Sequence, residues 1–187
     1  SDLTFNISNA PAWVSFDSST GALTGTPTNS NVGTTTNIVV SVTDGIATAS
    51  LAAFDLTVTN VNDAPVGQNI SVTTLEDSSV TIEPTISDDD GDSLTLAIET
   101  TPSKGVLNQA GSGWHYQPTE NANGTDSFTY TVSDGQVSSQ AYTVNITITA
   151  VNDAPVAIDD LIALERVEND AYTLDVLTND FDVDGDS

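Results

Sequence analysis

The chain has 187 residues, with 27 acidic side chains against two basic ones, Lys104 and Arg166, and a net charge of −25. This charge leaves no basic surface for a phosphate backbone or an anionic lipid headgroup, which excludes nucleic-acid and anionic-membrane binding. Cysteine is absent and no apolar run is long enough to cross a bilayer, which excludes disulfides, thiolate metal sites, cysteine nucleophiles and membrane insertion.

In chain order, short segments in which apolar residues alternate with threonine or serine predict β-strands with one buried face. Turn signals at 87–92, 101–105, 118–124 and 134–136 separate the strands at about ten-residue intervals, as in a sandwich. No segment has a convincing helical period, so the pattern predicts an all-β fold. The alternating sets are Ile38/Val40/Val42, Phe54/Leu56/Val58, Val80/Ile82, Leu94/Leu96/Ile98, Phe128/Tyr130/Val132 and Tyr142/Val144/Ile146/Ile148.

Two motifs recur at nearly the same spacing. The hexapeptide Val-Asn-Asp-Ala-Pro-Val at 61–66 returns at 151–156, and Asp-Gly-Asp-Ser at 90–93 returns at 184–187. Spacings of 90 and 94 residues indicate a tandem array. The predicted domains are 1–63, a repeat lacking its first strands, 64–153, a complete repeat, and 154–187, the first two strands of a further repeat. Those two strands are predicted at 157–165 and 172–177.

The motifs resemble a known family. The Asn-Asp-Ala-Pro linkers, the Asp-x-Asp-Gly-Asp loop at 88–92 and the Phe-Thr-Tyr-Thr-Val-Ser-Asp-Gly strand at 128–135 resemble the cadherin-like tandem repeats of large bacterial surface proteins and adhesins. Residues 11–27 resemble the dystroglycan-type cadherin-like and Ig-type modules of those proteins. The resemblance implies seven-stranded Greek-key sandwiches of the Ig/cadherin-like kind, one complete and one split between the two chain ends. It also implies an extracellular location and Ca²⁺ at the junctions.

The calcium positions that the resemblance implies form two groups. Departures from the family pattern, a linker without its final asparagine and no Asp-Arg-Glu motif, imply fewer ions per junction than in animal cadherins. The first group is Asp88, Asp90, Asp92 and Asp134 beside Asn62 and Asp63. The second is Glu76, Asp77 and Asp126 beside Asn152, Asp153, Asp182, Asp184 and Asp186, with Asp44 joining the last three if copies assemble.

The residues alone leave two interpretations of these aspartates. Asp-Gly pairs such as Asp44-Gly45 and Asp134-Gly135 are ordinary turn formers and indicate a hairpin more often than a metal. The three alternating carboxylates at 88–92 favour a metal over a simple turn, because like charges so close together repel unless a cation neutralises them. Of the acidic residues 21 are Asp and only 6 are Glu, and short-armed oxygen ligands in loops suit Ca²⁺. Asp17, Asp55 and Asp175 are predicted to be solvated.

Two other functions compete with a calcium-binding structural repeat. Catalysis is not predicted, because His115 is the single histidine and no nucleophile–base pair or phosphate loop occurs. Carbohydrate binding would use aromatic platforms, with Trp13, Trp114 and Tyr116 as candidates. The alternation of Trp114 and Tyr116 on one strand face favours core positions for both.

The sequence therefore predicts an extracellular, calcium-stiffened structural or adhesive segment. Two arrangements remain open. The segment either belongs to a long tandem array or assembles head to tail, the strands at 154–187 completing the 1–63 repeat of another copy. Such a contact does not close on itself and would build a filament. The expected partners are copies of the chain or neighbouring repeats, and also surface polysaccharide.

Overall fold

The computed structural model describes residues 2–160, 171, 173 and 175–185. It divides into two compact units, Ser1–Pro65 with Ser87–Leu94 and Ser133–Ser138, and Val66–Ile86 with Thr95–Val132 and Ser139–Ser187. The described residues are all-β apart from one 3₁₀ turn, Asn29–Asn31. The strands are β1 (Thr4–Ser8), β2 (Ser15–Phe16), β3 (Leu23–Thr24), β4 (Gly33–Thr43), β5 (Thr48–Ser50), β6 (Phe54–Val58), β7 (Ile70–Leu75), β8 (Val80–Ile82), β9 (Thr95–Thr100), β10 (Gly105–Ala110), β11 (Gly113–Pro118), β12 (Gly124–Ser133) and β13 (Tyr142–Thr149).

The first unit is organised by the long strand β4. This strand pairs antiparallel with β1, β5 and β6, while β2 and β3 form a separate hairpin. The β4–β6 register shifts between Thr35 and Ile38, and Asn37 at this bulge has a φ of 59°. Asparagine tolerates this left-handed conformation, and Asp55 secures it by accepting a 3.1 Å hydrogen bond from the Asn37 N–H. The bulge directs Ile38 inward, where its side chain is fully buried.

The second unit is a sandwich of seven strands. One sheet has the order β7-β13-β12-β9 and the other β10-β11-β8. All neighbouring pairs whose register is described are antiparallel except β7 and β13, which run parallel from Ile70 opposite Val144 to Leu75 opposite Thr149. The chain crosses between the two sheets after β7, β8, β9 and β11, as in a Greek-key sandwich, and its first strand lies parallel to its last. The fold class is therefore the predicted Ig/cadherin-like sandwich.

Aromatic rings fill the space between the two sheets. Trp114 of β11 contacts Phe128 of β12 edge to face at 5.3 Å between ring centroids, and Tyr130 at the same distance. Tyr130 contacts Tyr142 at 5.6 Å. Trp114 and Tyr116 are both buried, so the core interpretation of these two residues is confirmed. Neither ring offers a free face to a sugar.

The alternating segments of the sequence are strands, as predicted. They form β4, β6, β8, β9, β12 and β13, although Leu94 lies just before β9. Strand β7 was missed because its apolar residues are diluted by serine and threonine. Of the strands predicted at 157–165 and 172–177, residues 161–165, 172 and 174 lie outside the described residues, and the described residues of both ranges belong to no strand. The described residues near them contain an isolated bridge between Val156 and Phe181.

Candidate acidic centres

The loop after β8 brings together the side chains of Asp88, Asp90 and Asp92, here called the first cluster. One carboxylate oxygen from each lies within 4.8 Å of the others. Asp88 Oδ1 accepts hydrogen bonds from the backbone N–H groups of Asp90 at 2.9 Å and Asp92 at 3.2 Å. Gly91 has a φ of 77°, a conformation that other residues rarely adopt, and this reverses the chain between the two donors. The loop therefore curls around its own first carboxylate.

The segment at 61–66 is tied to the first cluster by its backbone. The N–H of Asp63 donates to Asp90 Oδ2 at 2.7 Å, and Asn29 donates to Asp63 Oδ2 at 2.5 Å. Asn62 Nδ2 donates to Asp134 Oδ2 at 2.8 Å, and Gln136 donates to Asn62 Oδ1 at 2.5 Å. These bonds hold the segment against the acidic loop and the β12–β13 hairpin.

Asp134 is held by its own hairpin as well. Its Oδ1 accepts from the N–H groups of Gln136 and Val137, each at 2.7 Å. The side-chain hydrogen bond from Asn62, with the backbone bond from Val137, lowers the pKa of Asp134. Asp44 has the same pattern in the β4–β5 hairpin, with bonds from Ile46 and Ala47 that lower its pKa. The turn interpretation therefore describes Asp44, which the structure does not bring to either cluster.

Two oxygens of the first cluster have no partner in the described part of the chain. Asp88 Oδ2 and Asp90 Oδ1 are buried and accept no hydrogen bond. A buried carboxylate oxygen without a donor is costly, since its lost hydration is not replaced. Native proteins leave few such atoms unless an ion or a water completes them.

A second cluster in the other unit consists of Glu76, Asp153 and Asp184, again with ligand atoms within 4.8 Å of one another. Glu76 is 2% exposed and its Oε1 accepts from the Val151 N–H at 2.6 Å. The N–H of Asp153 donates to Asp184 Oδ2 at 2.6 Å, and the N–H of Asp184 donates to Asp182 Oδ1 at 2.9 Å. Asp153 Oδ2 is buried and accepts no hydrogen bond from any residue that the structure describes.

Electrostatic repulsion is concentrated on Asp153. Burial raises its pKa, and the nearby charges of Asp184, Asp77, Glu76 and Asp182 raise it further, in that order. Lys104, the one lysine of the chain, lies elsewhere and donates to the Asn123 carbonyl at 2.7 Å. The three carboxylates of the second cluster, with Asp77 and Asp182 beside them, therefore receive no countercharge from this lysine.

The donor set of both clusters fits a hard cation. Every candidate ligand is an oxygen from a carboxylate, and Asn62 and Asn152 each precede the linker aspartate that is bonded to one of the acidic loops. Ca²⁺ takes six to eight such oxygens. Three carboxylate oxygens lack a donor among the described residues, and the pKa of Asp153 is raised. Both features are expected of a cation-binding site whose ligands are not neutralised by a cation.

Asp126, a predicted ligand, lies outside both clusters, and its carboxylate accepts hydrogen bonds from the chain instead. Its Oδ1 accepts from Ser103 N–H, the Ser103 hydroxyl and Ser127 N–H, and its Oδ2 from Lys104 N–H at 2.8 Å and the Tyr116 hydroxyl at 2.7 Å. A carboxylate with five donors has little capacity left for a metal. Its role is to fasten the turn before β10 to the buried hydroxyl of Tyr116.

Three other residues predicted as calcium ligands belong to neither cluster. Asp77 contributes charge to the second cluster without belonging to it, Asn152 donates to the Asp153 carbonyl at 2.7 Å, and Asp186 lies outside the described residues. The sequence analysis missed Asn29 and Gln136, which bind the 61–66 segment from 34 and 74 residues away. No local pattern marks them, because only the fold brings them to that segment.

Comparison with known proteins agrees with this architecture. Residues 62–147 match the family model described as "Bacterial Ig domain", and residues 1–59 match the one described as "Putative Ig domain". A mouse protocadherin-24 EC1-3 structure aligns at 20% identity and a TM-score of 0.58, over 98% of this chain and 67% of that one. A human protocadherin-24 EC1-2 structure aligns at 17% identity and a TM-score of 0.51, over 79% of this chain and 81% of that one.

An endo-fucoidan hydrolase from glycoside hydrolase family 107 also aligns, at 24% identity and a TM-score of 0.40 over 80% of this chain. The chain spans 24% of the length of that enzyme. No curated protein matches the sequence. The part of the chain that the structure describes has no helix with the length and apolar character needed to cross a bilayer.

Proposed function

We propose that this chain, which is built of Ig-like and cadherin-like tandem repeats, is a non-enzymatic extracellular segment that binds Ca²⁺ at its two acidic clusters. The observation that carries the proposal is the set of three buried carboxylate oxygens without partners, on Asp88, Asp90 and Asp153. Each cluster holds three carboxylates, and each is bonded to one of the two Asn-Asp-Ala-Pro segments, which makes an accidental gathering of charge a poor explanation.

The ligands proposed for the first cluster are Asp88, Asp90 and Asp92, and those for the second are Glu76, Asp153 and Asp184. Bound Ca²⁺ would supply positive charge to each cluster of carboxylates. The chain's own residues set the position of the linkers, since Asp63 and Asp153 each donate a backbone N–H to an aspartate of the neighbouring loop. Neutralising the loops removes the repulsion that opposes these contacts, so linker and loop become one stiff element.

Calorimetric titration of the full chain with Ca²⁺, after chelation, tests the proposal directly. We expect saturable binding and a rise in the thermal midpoint. A ligand at 100 times its dissociation constant stabilises a folded protein by about 2.7 kcal/mol, or several degrees for a chain of this size. Mg²⁺ is the matched control, because its small octahedral shell suits these loops less well. Absence of heat and of any midpoint shift with Ca²⁺ would overturn the proposal.

Head-to-tail strand complementation is a second candidate, and one feature of the first unit favours it. Phe5, Val40, Val42, Ala49 and Leu51 line an apolar depression beside β1, β4 and β5. In the other unit the corresponding core face is covered by a second sheet that includes β8. Light scattering with Ca²⁺ and then with EGTA tests it, since a monodisperse monomer in both conditions contradicts assembly.

Carbohydrate binding has less support. Two of its three candidate platforms, Trp114 and Tyr116, are core residues. The remaining one, Trp13, packs so closely on Gly25 that a Cβ there would lie 2.6 Å from the Trp13 carbonyl and 2.9 Å from its ring. A polysaccharide screen with a Trp13→Ala control would decide this alternative.

A further inference from the structure

Asn123 and Gly124 form the single Asn-Gly step of the chain. Asn123 is exposed in the turn before β12, and Gly124 is the first residue of that strand. An asparagine followed by glycine is the sequence most open to attack on the side-chain amide, since no β-carbon shields the following nitrogen. The fold leaves this step at the surface.

A cation is fixed beside the same peptide group. The Lys104 ammonium donates a 2.7 Å hydrogen bond to the backbone carbonyl of Asn123. The Lys104 backbone is anchored on both sides, because its N–H donates to Asp126 Oδ2 and its carbonyl accepts from Thr119, each at 2.8 Å. Gly124 has a φ of 91°, and a β-carbon there would lie 3.1 Å from the ammonium nitrogen.

We propose that Asn123 is a site of spontaneous deamidation and that Lys104 accelerates the reaction. The backbone nitrogen of Gly124 loses its proton to water or hydroxide and attacks Cγ of Asn123. A new N–Cγ bond forms, the side-chain nitrogen takes up a proton from water, and the bond from Cγ to that nitrogen breaks so that it leaves as ammonia. Water then opens the five-membered imide at either carbonyl, which yields aspartate or isoaspartate.

Lys104 acts through the peptide group and not on the leaving amide. When the Gly124 nitrogen is deprotonated, its negative charge is shared with the Asn123 carbonyl oxygen of the same peptide unit. That oxygen is the atom to which the ammonium donates. A charge-assisted hydrogen bond stabilises the anion more than the neutral amide and so lowers the barrier to its formation.

The product changes the electrostatics of one end of the sandwich. Gly124 pairs with Ile148, and the adjoining Thr149 pairs with Leu75, so Asn123 and Glu76 extend from the same end of the four-stranded sheet. Deamidation adds one negative charge at that end, next to Lys104. The modification therefore accumulates charge with the age of the molecule, whether or not a cation occupies the second cluster.

The test uses the full chain at physiological temperature and at neutral and mildly alkaline pH. Cleavage before Asp92 and Asp126 releases the peptide 92–125, which contains Asn108, Asn121 and Asn123. Isoaspartate stays within the peptide 92–125 and gives a time-dependent mass gain of about 1 Da at Asn123 alone, whereas the aspartate product creates a new cleavage point before position 123 and yields the pieces 92–122 and 123–125. Asn121 is the internal control, since it is exposed in the same turn but is followed by alanine.

Two variants separate the role of Lys104 from that of the sequence alone. Lys104→Gln keeps the anchored backbone and removes the charge, and should slow the reaction about five- to tenfold, while Lys104→Arg should retain most of the rate. An equal rate in Lys104→Gln overturns the role of Lys104. A rate at Asn123 no greater than at Asn121 in the wild-type chain overturns the site itself, and needs no variant.

Discussion

The backbone N–H of Asp153 donates a 2.6 Å hydrogen bond to Oδ2 of Asp184. Ninety residues earlier in the chain, Asp63 donates the equivalent bond to Asp90 at 2.7 Å. In each loop the acceptor aspartate donates its own N–H, at 2.9 Å, to the aspartate two positions before it. The two copies of the sequence repeat therefore form the same hydrogen bonds, which attach a linker residue to an acidic loop.

Replacing Asp90 should remove cation binding from the first cluster. Asp90→Asn deletes one charge of the cluster and a buried oxygen that has no partner. We expect one class of Ca²⁺ site to disappear in calorimetry, and the stability of the cation-free protein to stay equal or rise because repulsion falls. Asp89→Asn is the control, since Asp89 is exposed and outside the cluster. An equal loss of Ca²⁺ binding in both variants would show that the net negative charge of the loop, and not the cluster, attracts the cation.

Replacing Glu76 should affect the second cluster alone. Glu76→Gln keeps an oxygen that can accept from the Val151 N–H and removes the charge of a side chain that is 2% exposed. The expected result is loss of one binding class with the first cluster intact. Combination with Asp90→Asn should abolish binding, because distant independent sites add. Retained binding in the double variant would place the cation elsewhere.

Asp126→Asn should destabilise the second unit without changing cation affinity. The amide keeps one acceptor oxygen and presents an NH₂ group to backbone N–H donors, which we expect to cost about 3 kcal/mol. Tyr116→Phe removes one of the five hydrogen bonds and should cost about 1 kcal/mol. Urea unfolding measures both. A change in Ca²⁺ affinity for Asp126→Asn would return this residue to the list of ligands.

The contribution of Asp126 should depend on pH with a definite sign. Burial would raise its pKa, but hydrogen bonds from Ser103, Tyr116, Lys104 and Ser127 outweigh it and hold the pKa below the ordinary 3.8. The folded state then binds fewer protons than the unfolded state, so the stabilisation is complete above pH 3.8 and is lost as the pH falls through the lower folded value. The difference in unfolding free energy between wild type and Asp126→Asn should shrink over that range. A difference that grew on acidification would contradict the assignment.

Truncation of Trp114 should be among the most damaging single changes. Its ring contacts both Phe128 and Tyr130 at 5.3 Å and is 4% exposed. Trp114→Ala is expected to cost about 3–5 kcal/mol by leaving a cavity between the sheets. Trp13→Ala, in the other unit, is the comparison for tryptophan fluorescence and stability. If the free energy of unfolding of Trp114→Ala stayed close to that of the wild type, the two sheets would have to close over the cavity.

Local sequence patterns were enough to predict the fold class and the location of the acidic loops. Alternation at Phe128/Tyr130/Val132 or at Tyr142/Val144/Ile146 specifies a strand with one buried face, since side chains on a strand point to opposite sides in turn. The Asp-x-Asp-Gly-Asp spacing likewise specifies a tight loop that turns at glycine. These are local properties, and a repeat of 90 residues displays them twice.

Which aspartates lie together depends on the folded arrangement of the strands. Asp126 and Asp153 look alike as residues beside turns or linkers, yet Asp126 meets five hydrogen-bond donors and Asp153 meets four other carboxylates. Asn29 and Gln136 reach the 61–66 segment across 34 and 74 residues. The physical reason is that strand pairing and sheet packing set these neighbours, and no short-range pattern in the chain encodes the distance between residues so far apart.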